Sequence, residues 1–186
     1  MSSQQVLAAA FMALGAYLLG AIPFGLFIAK AMAGVDVRTV GSGNIGATNV
    51  LRAAGKQAAA LTLLADGLKG CIPVLLAGWF FPDPWVPVLA GMAAILGHNY
   101  PVYLGFKGGK GVATSLGVVL AASPGIGLLC LAVWIAAAFL WRYSSLSALI
   151  AFAVYPLMTF ATRSGDAPPG TLSLFVFGMI YYRHRG

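Results

Sequence analysis

Gly105 to Thr114 reads GFKGGKGVAT, with four glycines and two lysines. Glycine has no Cβ, so its backbone N–H groups can come close to an anion. A run of such groups entering a helix N-terminus makes an anion cradle. Gly108, Gly109 and Gly111 would supply that backbone, and Lys107 and Lys110 full positive charge. The chemistry on offer is the holding of phosphate or carboxylate. A nucleotide P-loop is excluded: the spacing from Gly105 to Gly109 is too short, Gly111 follows Lys110 where Ser or Thr is needed, and no strand precedes. The plain alternative is a turn carrying two topogenic lysines.

A second stretch, Val35 to Lys56, reads VDVRTVGSGNIGATNVLRAAGK. Ser42, Gly43, Asn44, Thr48 and Asn49 place small hydroxyls and amides beside glycines, a mixture suited to a polyol phosphate. Arg52 follows, and its planar fork matches phosphate or carboxylate oxygens. Helix capping would explain one or two of these residues, not all of them.

Asp66 and Lys69 lie inside an apolar run at i, i+3, hence on one helix face. Two readings stay open: a mutually neutralising pair, or Lys69 as an extension of the anion site. GHNYP, Gly97 to Pro101, places His98 at the end of an apolar segment, where a hydrogen-bonded interfacial histidine is expected. YYRHRG ends the chain, and His184 between two arginines can contact phosphate or simply mark a stop. No set of His, Cys and carboxylates has metal-ligand spacing, and four scattered aspartates without a glutamate argue against a carboxylate cage. No metal or cofactor is expected. Cys71 and Cys130 read as small buried hydrophobes.

The elements that must position these groups are membrane spans. The 186 residues are 60% hydrophobic and 8% charged, and the mean hydropathy is +0.90. Soluble domains carry about 25% charged residues. The expectation is an all-α integral membrane protein, one polytopic domain over residues 1–186, with about seven spans by hydropathy. They run near Val6–Ala33, Gln57–Phe81, Val86–Leu104, Gly111–Ala122, Ile126–Trp141, Ser145–Thr162 and Thr171–Tyr182. Two are short enough to be half-spans or buried elements. The opening MSSQQ lacks a positive n-region, so the first apolar run is expected as a span and not a leader.

With the N-terminus outside, the inner segments carry Arg38, Arg52, Lys56, Lys107, Lys110, Arg142, Arg183 and Arg185, and the outer ones only Arg163. That bias puts the motif segments near 35–56, 98–111 and 183–186 on the cytoplasmic face. The net charge of +7 suits anionic lipid and phosphorylated substrates. Nucleic acid is not expected as a partner, because the basic residues form no soluble face.

GSGNIGATNVLR, PVYLGFKGGKGVAT and the terminal RHR resemble the three cytoplasmic motifs of the bacterial acyl-phosphate:glycerol-3-phosphate acyltransferases. IPFG at Ile22–Gly25 and DGLKG at Asp66–Gly70 are similar to that family too, so the resemblance covers essentially the whole chain. It implies seven spans, an outside N-terminus and an active site facing the cytoplasm of the bacterial inner membrane. It implies acyl transfer from acyl phosphate to the sn-1 hydroxyl of glycerol-3-phosphate, giving lysophosphatidic acid and phosphate, without cofactor or obligate protein partner. By the resemblance Ser42, Arg52, Lys110 and His184 match positions that hold glycerol-3-phosphate. The glycine-lysine loop with Thr48 and Asn49 matches those that cradle the acyl-phosphate head. The chain departs from the family at its last motif, which elsewhere continues past the histidine as Arg-Glu-Asn, where Arg185 and Gly186 stand here.

Two other classes bear on these residues. A transporter of a phosphorylated or carboxylated solute should show midplane polar sites and an internal repeat, whereas here the polarity gathers at one face. A structural subunit needs no glycine-lysine cradle.

Overall fold

The computed structural model describes residues 2–162 and 166–185. Arg163 and Gly186 lie outside them, and with them the outer cation of the charge map and the departure from the family's last motif. Among the described residues the chain forms eight α-helices and no strand: α1 Ser3–Ala21, α2 Phe24–Ala33, α3 Ala47–Phe80, α4 Trp85–Asn99, α5 Val112–Ala122, α6 Pro124–Trp141, α7 Ser144–Thr162 and α8 Ala167–Arg183.

The expected first span is divided. Pro23 has no N–H to continue the ladder, so α1 ends at Ala21 and α2 restarts at Phe24. Helix α1 opens on a capping box between Ser2 and Gln5, and α2 stops on Gly34 in the left-handed region. The expected loop Val35–Lys56 is a loop only as far as Gly46. Helix α3 starts at Ala47 and bends at Gly55, whose φ of 85° and ψ of −178° suit only glycine. A short lead-in helix therefore carries Thr48 and Arg52 before the long apolar part begins. The third segment ends earlier than expected, at Asn99, before Pro101 and a 3-10 turn over Val102–Leu104.

By length and composition four stretches can cross a bilayer: Ser3–Ala33, Ala47–Phe80, Pro124–Trp141 and Ser144–Thr162. The 11-residue α5 is too short to do so. It is held between neighbours instead, with Thr114, Ser115, Gly117, Val118 and Val119 buried. Its closest partner is α3, which it meets through glycines: a methyl on Gly70 would strike the Thr114 carbonyl, and one on Gly117 the Gly67 carbonyl. Gly20 and Gly97 bring α1 and α4 together in the same way.

Side chains facing outward are apolar; Trp79 is 86% and Phe139 84% exposed, as a lipid-facing surface requires. The main core gathers Val74, Ile95, Val118, Phe152, Tyr155, Leu172, Val176 and Ile180 from α3, α4, α5, α7 and α8. A separate cluster of Leu26, Ala29, Val37, Ile45, Val50 and Ala58 ties the loop after α2 to the start of α3. That small core anchors the first polar motif.

Candidate active site

The first motif is wound around one amide. Asn49 is buried, and its Nδ2 donates to the carbonyls of Val37 (2.8 Å), Val40 (3.0 Å) and Asn44 (2.9 Å). Its Oδ1 accepts from the Ser42 N–H at 3.0 Å. Gly41 and Gly43, with φ of 60° and 68°, make the turn this wrapping needs. Asn44 closes the segment by accepting from the Gly46 N–H at 2.9 Å. The side chain of Asn49 is thus committed to shaping the loop that presents Ser42. Earlier in the loop the exposed Arg38 is engaged by Asp36 at 2.6 Å, and the hydrogen bond from that guanidinium holds the Asp36 carboxyl down at about 2.

The second motif is held from two sides. The Gly109 N–H donates to the His98 carbonyl at 3.1 Å, and a methyl on Gly109 would collide with His98 Nε2. From the other side Arg183 donates Nη2 to the Gly108 carbonyl (2.9 Å) and Nε to the Gly109 carbonyl (3.1 Å). Gly111, with φ of 79°, then turns the chain into α5. His98 itself is buried, 3.7 Å from Asp66 Oδ1, beyond hydrogen-bond reach. It is not the hydrogen-bonded interfacial histidine expected: its Nδ1 has no hydrogen-bond partner among the described residues. Helix α4 carries it under the glycine loop, where its ring lies against Gly109.

Lys69 resolves toward the pairing role. Its Nζ lies 2.8 Å from Asp66 Oδ1 and donates to the Ile22 carbonyl at 2.8 Å. That carbonyl sits at the break before Pro23 and also accepts from the Phe24 N–H at 3.1 Å, so the lysine is a second donor to a backbone group outside the regular helical ladder.

The third wall comes from the ends of α7 and α8. His184 Nδ1 sits 2.7 Å from the Ile180 carbonyl. A carbonyl only accepts, so this nitrogen carries the proton and Nε2 keeps its lone pair in the neutral ring. Burial pushes the imidazole below its ordinary pKa, and the charges of Lys110 and Arg183 push the same way. Across the mouth, the Thr48 and Ser144 hydroxyls share a hydrogen bond of 3.1 Å.

These three walls enclose one cavity of about 1050 Å³. Of the residues predicted from sequence, Ser42, Asn44, Thr48, Asn49, Arg52, Lys110, Gly111 and His184 line it. Gly43, Lys69, Lys107, Gly108 and Gly109 do not: Lys107 is exposed, and the two glycines back the loop. Arg183, Arg185, Ser144, Ser145, Trp134, Asp66 and His98 line it without having been predicted as site residues. Arg183 was legible as a cation in the last motif. Ser144, Ser145 and Trp134 carry no such signal, because only packing brings α6 and α7 to this wall.

Arg52 and Lys110 form no ion pair among the described residues, in contrast to Arg38 and Lys69. Among the described residues Asp66 is the one carboxylate on the lining, and Lys69 neutralises it. The opposite flank is apolar, with Leu51, Ala59, Ala60, Leu63 and Val112. Among the described residues no group of three or more His, Cys, Asp or Glu could hold a metal ion.

Fold and cavity together define a polytopic helical membrane protein with a chamber lined by cationic and hydroxyl side chains on one flank and apolar ones on the other. The sequence matches the glycerol-3-phosphate acyltransferase family over residues 10–186, and the chain belongs to that family. It is 50% identical to the glycerol-3-phosphate acyltransferase of Paramagnetospirillum magneticum, over 92% of this chain and 84% of that one. The enzyme of Aquifex aeolicus is 49% identical, over 95% and 92%. The fold is similar to the crystal structure of PlsY (YgiH), an integral membrane glycerol 3-phosphate acyltransferase, in its glycerol 3-phosphate form: TM-score 0.90, 47% identity, 96% of this chain and 88% of that one. Its lysophosphatidic acid form superposes with a TM-score of 0.88 at 46% identity over the same shares.

Proposed function

We propose that this protein transfers a fatty acyl group from acyl phosphate to the sn-1 hydroxyl of glycerol-3-phosphate, giving lysophosphatidic acid and inorganic phosphate. The observation that carries this is that Arg52 and Lys110, in no ion pair among the described residues, line with His184 one chamber that also has an apolar flank. Two phosphorylated molecules repel each other, and fixed cations and N–H groups are what hold them together. Relatives named for glycerol-3-phosphate acylation, one of them solved with that substrate and with lysophosphatidic acid, support the same reading.

An acyl phosphate is already an activated mixed anhydride, so no enzyme nucleophile is needed. The glycerol oxygen bonds to the acyl carbonyl carbon while the carbon–oxygen bond to phosphate breaks. The bonding pair leaves on phosphate, which also takes the hydroxyl proton. Ser42, Arg52, Lys110 and His184 hold glycerol-3-phosphate; Thr48 and the start of α5 face the acyl-phosphate head. The tail lies along Ala59, Ala60, Leu63 and Trp134, in contact with lipid. The chamber faces the cytoplasm of a bacterial inner membrane, with the N-terminus outside and no obligate protein partner.

Phosphate release by purified protein, supplied with acyl phosphate and glycerol-3-phosphate separately and together, tests this. Release that needs both substrates, with a 1-acyl product by NMR, is expected. No transfer from acyl phosphate overturns the donor assignment.

A further inference from the structure

Gly108 and Gly109 back the loop that brings Lys110 to the chamber wall. Glycine peptides rotate readily, and a carbonyl turned inward would repel a phosphate. In a trans peptide the C=O and N–H point in opposite directions. The Gly108 carbonyl is bound by Arg183 Nη2, and the Gly109 N–H across the same peptide is bound by the His98 carbonyl. The Gly109 carbonyl is bound by Arg183 Nε, which turns the Lys110 N–H the other way. That N–H and those of Gly111 to Thr114 carry no hydrogen bond among the described residues, and Lys110 to Ala113 line the chamber. The guanidinium is itself braced over the Tyr100 ring, 5.1 Å from its centroid.

We infer that Arg183 is a positioning residue: its fork locks the Gly108 and Gly109 carbonyls away from the anion, so that the amides from Lys110 onward face the phosphate of the acyl donor. Two parallel donors in a fixed plane do this. A lysine offers one compact charge and does not replace them. The inference rests on the acyl-phosphate reading for the identity of the anion, not for the geometry.

The test uses the full-length protein in detergent with Arg183→Ala and Arg183→Lys, both checked by thermal unfolding. Inorganic phosphate binding is measured by calorimetry, and KM is taken for each substrate at saturation of the other. Both variants are expected to weaken phosphate binding and to lower kcat/KM for acyl phosphate by roughly a hundredfold, the scale of a small misplacement of catalytic groups. KM for glycerol-3-phosphate should stay unchanged, and added methylguanidinium should restore Arg183→Ala in part. Wild-type constants in Arg183→Lys, or a loss confined to glycerol-3-phosphate, would overturn the inference. A wild-type protein inert with acyl phosphate sinks the donor assignment instead, and the phosphate titrations then still decide the role of Arg183.

Discussion

Two lysines of similar sequence context do different work. Lys69 is buried against Asp66 and the Ile22 carbonyl, whereas Lys110 reaches the chamber wall with no ion pair among the described residues. Lys69→Ala leaves Asp66 a buried carboxylate without its partner, which typically costs about 3–5 kcal/mol. The expected outcome is a lowered thermal midpoint and poor yield. Lys110→Ala should leave the midpoint alone and cut kcat/KM, since losing one preorganised donor costs about 2.7–4 kcal/mol at the transition state. Ser42→Ala should raise KM for glycerol-3-phosphate and leave turnover at saturation, with no acyl group trapped on the protein. A stoichiometric acyl ester on Ser42 would overturn direct transfer. His184 adds a pH signature. Its folded pKa lies below the ordinary value near ~6.5. The neutral ring is therefore favoured in the fold, and its contribution to stability is complete above that value and is lost as pH falls through the folded pKa. In catalysis the ratio of wild-type to His184→Asn activity should be flat above neutrality and change only on the acid side. A change centred above pH 7 would contradict the neutral tautomer.

At the scale of elements, glycines decide what can approach what. Helix α5 is too short to span but long enough to aim its first amides at the chamber. It reaches that place because Gly70 and Gly117 let it lie directly on α3, and because Gly109 lies on the His98 ring. Gly109→Ala should push the loop off His98 and reduce transfer without changing the charge of the site. Wild-type rates in a folded Gly109→Ala protein would show that the loop's backbone has no part in binding. Asn49→Ala tests the other loop. Removing the amide that joins four backbone groups should loosen residues 37–44, seen as faster amide exchange there and weaker glycerol-3-phosphate binding.

For the whole molecule the decisive property is which way it sits in the bilayer. The loop after α2, the start of α3, the entry to α5, the start of α7 and the end of α8 meet at one end of the bundle. Single cysteines placed at Ser2 and Asp83 should label from outside the cell. Cysteines at Lys56 and Arg185 should label only after permeabilisation. Ready external labelling at Lys56 would put the chamber on the wrong face for a cytoplasmic substrate.

The sequence by itself determined the class of fold, because apolar runs and clustered charge are local properties that a bilayer reads directly. It also marked the two polar loops, since glycine, lysine, serine and asparagine stand out in an otherwise apolar chain. Only the tertiary structure decided which of these residues share a chamber. Lys69 and Arg183 are both cations in polar motifs, yet one closes a helix break and the other grips the glycine loop. Ser144 and Trp134 enter the chamber from helices with no motif at all. The reason is physical. Whether a charge is paired, and which carbonyl lies within 3 Å of a guanidinium, depends on helix crossings between residues far apart in the chain, 75 positions for Arg183 and Gly108, and no local pattern encodes them.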